Sequence, residues 1–356
     1  PAETLADDGV ELHCSSTKFS SYLGRLLKDN PPDRSYFSAQ AAIIKAAHNS
    51  PLYQPHLPSP LPVKIKLEEK NEQMDIPLVG GGDLQVSGNA HLSTSSSVVV
   101  PVQIGPFKKR WMVLDSGSTI VMINESTAQK MNIKDLAPGQ YSGLGNSRTK
   151  NSHWVLIPEM KVGSVAFKNV PAMVISSNSD FWNKRGILPL SLFDRWALLY
   201  DRRHSQLKLF PSGTSPEKVM GKGTFQAYSR WQHGLPFIRT TLHGHSGLYC
   251  MLDTGANFTL IAGEHIRELG IKVNSGKYNS SADYGVAGII QSGIAEHVNI
   301  KIRGAHFNLP TVRVMKLGMG GRLFPVYGDV GRDILDLFKV YFDYHRDVVA
   351  FNSYDK

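Results

Sequence analysis

The sequence predicts a mainly β, two-lobed protein made by internal duplication, with an N-terminal helical extension. Three observations carry this reading. First, Trp111-Met-Val-Leu-Asp-Ser-Gly-Ser-Thr-Ile-Val-Met-Ile123 is a near-copy of Tyr249-Cys-Met-Leu-Asp-Thr-Gly-Ala-Asn-Phe-Thr-Leu-Ile261. Second, the likeness extends well beyond these segments. Third, the chain from Asp75 to Phe351 reads as short apolar strands broken by glycine. Self-similarity at the scale of a small domain means two lobes rather than a solenoid.

The elements follow in order. Residues 1–75 differ from the rest. Phe19 to Leu27 and Tyr36 to Ala47 carry helical spacing of apolar residues, and Asp33 or Ser35 is placed to cap the second helix. Pro51, Pro55, Pro58, Pro60 and Pro62 then mark an extended connector, and Leu61 to Leu67 alternates like a strand. The first lobe is expected over 76–210, a linker over 211–223, and the second lobe over 224–356. Ile104 and Leu242 each sit 11 residues before their Asp, in β-type runs. Gln129 to Lys134 aligns without a gap to Arg267 to Lys272, and both read as a short helix. Gly186 to Phe193 aligns with Gly328 to Leu335, at Asp-to-Gly intervals of 71 and 75 residues. Apolar strands ending in Tyr200-Asp201 and Phe342-Asp343 follow.

Asp115 and Asp253 are the candidate functional pair. Each ionisable group is wedged between apolar runs, where burial alone is costly. Two acids at matching places in a duplicated unit make sense as one shared site.

Composition narrows the partners. Apolar residues make up 41% and charged residues 19% of the 356, as in an ordinary globular protein. No run of about 18 apolar residues occurs, so no membrane span is expected. The net charge of +9 gives a basic surface. Its densest cluster, Lys108-Lys109-Arg110, reads as a solvated turn, and no nucleic acid partner is expected. The start at Pro1 rather than Met favours an exported or extracytoplasmic protein. Of the two cysteines, Cys250 reads as a small buried hydrophobe, and Cys14 lies in the extension. His243-Gly-His245 and Gly80-Gly-Gly82-Asp83 read as turns, so neither a metal nor a cofactor is expected. Asp201, Asp343 and Asp333 read as structural.

At this point the residues resemble the aspartic peptidases, the clan of pepsins and retropepsins. Asp115-Ser-Gly-Ser-Thr119 is similar to the pepsin pattern, and Asp253-Thr-Gly-Ala-Asn257 to the retropepsin one. Gly331-Arg-Asp-Ile-Leu335 resembles the Gly-Arg-Asp element of retropepsins, whereas the first half carries Pro189 at that place. The resemblance covers roughly residues 76 to 353. It implies an acid-protease fold and an aspartic endopeptidase in which Asp115 and Asp253 activate a water. The substrate would be a peptide or protein and the enzyme a monomer. A non-hydrolytic peptide-binding relative on the same fold is the alternative. Ser116 and Thr254 would bond across the two loops, while Gly117 and Gly255 would let backbone approach the carboxylates. Ser118 offers a hydroxyl to Asp115 and Ala256 none to Asp253, so Asp115 is expected to bear the charge and Asp253 the proton. The stretches Tyr141, Gly143, Gly145 and Tyr284, Gly285, Gly288 fall where retropepsin flaps would lie. Trp154 lies nearer the interval of the pepsin flap aromatic. The N-terminal extension is either an accessory subdomain or a propeptide over the site, with Lys64 or Lys66 facing the acids.

Overall fold

The computed structural model describes residues 74–77, 98–106, 110–133, 135–142, 149–163, 165–175, 186–194, 196–232, 234–273, 283–285, 288–290, 292–315 and 324–354. The expected N-terminal helices, the Leu61–Leu67 strand, Cys14, Gly143 and Gly145 lie outside these residues.

The first half holds β1 (Met74–Pro77), β2 (Val99–Ile104), β3 (Arg110–Asp115), β4 (Val121–Asn124), β5 (Asp135–Ser142), β6 (Thr149–Val162), β7 (Val165–Ile175) and β8 (Gly186–Pro189). The strands β9 (Trp196–Asp201), β10 (Gln206–Pro211) and β11 (Phe225–Gln226) lead into the second half. There follow β12 (Ser229–Gln232), β13 (Leu235–Leu242), β14 (His245–Leu252), β15 (Leu260–Ala262), β16 (Asp283–Gly285) and β17 (Gly288–Ile290). The last strands are β18 (Ser292–Ile302), β19 (Ala305–Met315), β20 (Val326–Val330), β21 (Phe338–Asp343) and β22 (Val348–Ser353). The helices among the described residues are α1 (Glu125–Lys130), α2 (Pro216–Met220) and α3 (Arg332–Leu335). Among the same residues, no helix is long and apolar enough to cross a membrane.

The duplication is visible strand by strand. One seven-stranded sheet runs β2-β3-β8-β4-β7-β6-β5, the other β12-β13-β14-β20-β15-β19-β18. Six strands of each correspond in order, with β5 added to the first and β12 to the second. Registers agree as well. In the first copy β3 runs parallel to β8 with Met112 opposite Gly186, and in the second β14 runs parallel to β20 with Cys250 opposite Gly328. These two glycines are required by contact. A Cβ on Gly186 would stand 2.4 Å from the Met122 carbonyl oxygen, and one on Gly328 2.0 Å from that of Leu260.

The helices depart from expectation. In the first copy the helix covers Glu125–Lys130, ahead of the expected Gln129–Lys134. Asn124 starts it by accepting the Thr127 N–H at 2.8 Å, and Asn132, at φ 48°, ends it. The second copy has Ala262 at the capping place and forms only a 3-10 turn, Gly263–His265. Alanine has no side-chain acceptor for the free N–H groups of a first turn.

A third sheet, β1-β10-β9-β21-β22-β11, takes strands from both halves. Its centre pairs β9 with β21, Tyr200 opposite Val340. Asp201 and Asp343 end these two strands and brace turns. Asp201 accepts from Tyr354 Oη at 2.7 Å, and Asp343 from Ser212 Oγ at 2.9 Å and Gly213 N–H at 2.7 Å. Buried side chains of both halves and of the joining sheet form one continuous core, including Leu114, Leu188, Tyr200, Leu252, Val330 and Val340. Cys250 is buried in this core, which pushes its thiol up to about 12. His243-Gly244 forms the two-residue turn between β13 and β14, both residues at positive φ.

Candidate active site

Asp115 ends β3 and Asp253 follows β14, each reached from an apolar strand that fixes its place. The two loops meet head to head. A Cβ on Gly117 would fall 2.7 Å from Asp253 Cγ, and one on Gly255 2.7 Å from Asp115 Cγ. Each glycine therefore lies against the other copy's carboxylate, where a side chain would push it away. The two carboxyl groups are close enough that the charge of Asp253 raises the proton affinity of Asp115.

Below the acids, four hydrogen bonds cross between the copies. Ser116 N–H donates to Thr254 Oγ1 at 2.9 Å, and Thr254 N–H to Ser116 Oγ at 3.0 Å. Ser116 Oγ donates on to Leu252 O at 2.7 Å, and Thr254 Oγ1 to Leu114 O at 3.0 Å. Both side chains are fully buried. Removing one hydroxyl would leave a buried donor and acceptor unpaired. Thr254→Val is expected to lower stability by about 3 kcal/mol, and Thr254→Ser, which keeps the hydroxyl, by much less. Urea denaturation followed by fluorescence measures both.

The dyad is polarised, in the direction opposite to that expected from Ser118. The Ser118 hydroxyl donates to Ile120 O at 3.1 Å and accepts the Ile120 N–H at 3.4 Å, within its own turn. Asp115 takes one backbone donor, Gly117 N–H at 2.7 Å. Asp253 takes two, Gly255 N–H at 2.8 Å and Ala256 N–H at 3.0 Å. The residue with no hydroxyl thus supplies the extra hydrogen bond from its backbone. Burial, then the charge of Asp253, hold the Asp115 carboxyl well above the usual carboxylate range. Asp329, fully buried on β20, adds to that rise. Burial also raises Asp253, but Gly255, Ala256 and Asp115 work against it. Asp115 therefore has the higher proton affinity of the two, and Asp253 the better-stabilised charge.

The sign of the pH effect follows. Between the unfolded carboxylate value of about 3.9 and the raised folded value of Asp115, the native state binds more protons than the unfolded one. Stability then falls as pH rises through that window. Thermal melts of the parent are expected to show this loss. Asp115→Asn, which cannot ionise, is expected to flatten it.

The structure places the other expected residues as follows. Tyr141 is buried on β5, opposite Lys150 on β6. Trp154 is buried on β6 and lies against Gly139, where a Cβ would come 2.8 Å from the indole ring. Tyr284 and Gly285 on β16 pair with Ile289 and Gly288 on β17 in a separate two-stranded hairpin. Asp333 accepts from Thr259 N–H at 2.9 Å and Thr259 Oγ1 at 2.7 Å, bracing the second loop. Two acids near the site carry no expectation from the sequence. Asp329 occupies the place of Ile187, and an acid inside the apolar run Val326–Val330 was the available signal. Asp336 receives the Tyr200 hydroxyl from 136 residues away, which no local pattern reveals.

Residues 86–191, which contain the Asp115 loop, match the family model described as Aspartyl protease. This match covers the first copy of the duplicated unit. Among solved structures, the aspartic proteinase from Irpex lacteus aligns at 12% identity and a TM-score of 0.45, covering 79% of this chain and 97% of that one. The Basic 7S globulin from soybean aligns at 11% identity and a TM-score of 0.47, covering 80% and 96%. No curated protein matches in sequence. Within the matched region Pro189 stands opposite Asp115 in the β3–β8 ladder. Its counterpart Gly331 meets the Phe258 backbone, where a Cβ would come within 2.3 Å.

Proposed function

We propose that the protein is an aspartic endopeptidase that hydrolyses peptide bonds in peptide or protein substrates. Its lobes would be 76–210 and 224–356, with 211–223 as their linker. The observation that carries this function is the facing pair of carboxyl groups with unequal proton affinity. Two adjacent carboxyls cannot both ionise readily, so one keeps its proton near neutrality or below. The paired acids of aspartic proteases are the best-known instance of this behaviour. Asp253, held charged by two N–H groups, takes a proton from a water lying between the pair. Asp115, held protonated, donates to the scissile carbonyl oxygen. The water oxygen attacks the carbonyl carbon; on collapse of the tetrahedral adduct Asp253 passes the water's proton to the leaving nitrogen, Asp115 regains a proton from the gem-diol hydroxyl, and the C–N bond breaks to release the amine and the acid.

The test is cleavage of a diverse peptide library, read by mass spectrometry, with and without a statine-type inhibitor. Inhibitor-sensitive cleavage is expected. Tight inhibitor binding with no cleavage at any acidic or neutral pH would overturn the hydrolytic reading in favour of a peptide-binding protein.

A further inference from the structure

One cluster of charges lies outside the dyad and reaches it from the other lobe. Arg332, at 3% exposure, opens α3 in the second copy. Its guanidinium donates from Nε at 3.1 Å and from Nη2 at 2.8 Å to Asp336 Oδ2. Its Nη1 donates to Asn257 Oδ1 at 3.2 Å, and its backbone N–H to Ala256 O at 3.0 Å. Asp336 Oδ1 in turn accepts the Tyr200 hydroxyl at 2.6 Å, and Tyr200 belongs to β9 of the first half. Ala256 is the residue whose N–H supplies the second hydrogen bond to Asp253. A continuous path therefore runs from Tyr200 through Asp336 and Arg332 to the donor that keeps Asp253 charged.

The first copy lacks the residues for such a path. Leu190 stands where Arg332 does, and Thr119 where Asn257 does. The Ser118 hydroxyl turns into its own loop, and the backbone donor to Asp115 is the Gly117 N–H. The asymmetry of the dyad thus coincides with the asymmetry of this cluster. A buried guanidinium with a fork to one carboxylate is a rigid support, because its planar geometry fixes both partners.

We propose that Arg332 is a positioning residue that holds the second loop so that Ala256 hydrogen-bonds Asp253, tying the polarity of the dyad to the first lobe through Asp336 and Tyr200. The proposal rests on reading Asp115 and Asp253 as a working dyad, but its test does not require turnover. Among the described residues, the titratable groups that act on Asp115 besides Asp253 include Asp329 from β20 and Tyr344 after β21, and Cys250 from β14 lies near Asp329. Arg332 and Asp333 on α3 hydrogen-bond the second loop at Asn257 and Thr259, and Asp336 just after α3 holds Arg332, with Arg202 at 3.9 Å from Asp336. The Arg332 cluster is the one that hydrogen bonds link to a donor of Asp253.

The test is carbon-13 NMR of the aspartate carboxyl groups across pH, with Asp115 and Asp253 assigned by their Asn variants. In the parent, Asp253 is expected to titrate at the lower pH. Arg332→Leu, the residue of the first copy, is expected to raise the Asp253 midpoint by about one pH unit and narrow its gap to Asp115. Arg332→Lys keeps the charge but loses the fork, and is expected to do the same. A purely electrostatic role would leave the Lys variant like the parent. Should Arg332→Leu fail to fold, Asn257→Ala and Tyr200→Phe remove one contact each and are expected to shift the midpoint in the same direction. Parental midpoints in the folded Lys, Asn257 and Tyr200 variants would overturn the proposal. A shift in a protein that cleaves no peptide would leave it standing and refute the peptidase reading alone.

Discussion

Asp253→Asn is expected to lower kcat/KM for peptide cleavage by about 10³-fold while leaving the near-UV circular dichroism intact. The amide keeps the shape of the side chain, and its oxygen in the place of Oδ1 still accepts from both Gly255 and Ala256. It cannot take the proton of the attacking water. Asp115→Asn is expected to cost as much, for the complementary reason that an amide cannot deliver a proton to the carbonyl oxygen. Because the two acids act as a unit, the double variant should be scarcely worse than either single one. Near-parental cleavage by a pure Asp253→Asn protein would show that the dyad is not the catalyst.

The largest expected effect on folding comes from Gly328→Ala. The new methyl would meet the Leu260 carbonyl oxygen at 2.0 Å and the Ile261 Cα at 3.1 Å, both backbone atoms in a neighbouring strand. Neither can move aside as a side-chain tip can. β20 would have to separate from β15, and it also anchors the dyad's second loop, since Asp253 N–H donates to Val330 O at 3.1 Å. Overpacking of this kind costs about 3 kcal/mol or more, enough to depress the melting temperature steeply or prevent recovery of soluble protein. Gly304→Ala is the matched control, since a Cβ there meets nothing within 4 Å. It is expected to be neutral or slightly stabilising. Thermal melts of both variants measure the contrast, and equal behaviour would refute the contact argument.

Much of this site was legible in the sequence because acids between apolar strands are rare and two of them in register are rarer. Asp115, Asp253 and the glycines at 186 and 328 were all readable from the aligned copies. The start of α1 was legible in principle, since Asn124 is a good capping residue and Ala262 is not. The polarity of the dyad was not legible. It depends on where the Ser118 hydroxyl turns and on the backbone donor of Ala256, and side-chain identity at position 256 points the wrong way. The Tyr200–Asp336 contact was hidden for another reason. It joins β9 of one copy to the turn between α3 and β21 of the other, so neither partner carries a signal in its own neighbourhood.

The pairing of β9 with β21 has a consequence for how the site responds to dilution. Both acids belong to one polypeptide, and the sheet that clasps its halves is itself continuous. Mass action therefore has no hold on the encounter of Asp115 with Asp253, which persists at any protein concentration at which the chain is folded. Opening the pair means tearing a ladder, so loss of the dyad should accompany unfolding rather than precede it.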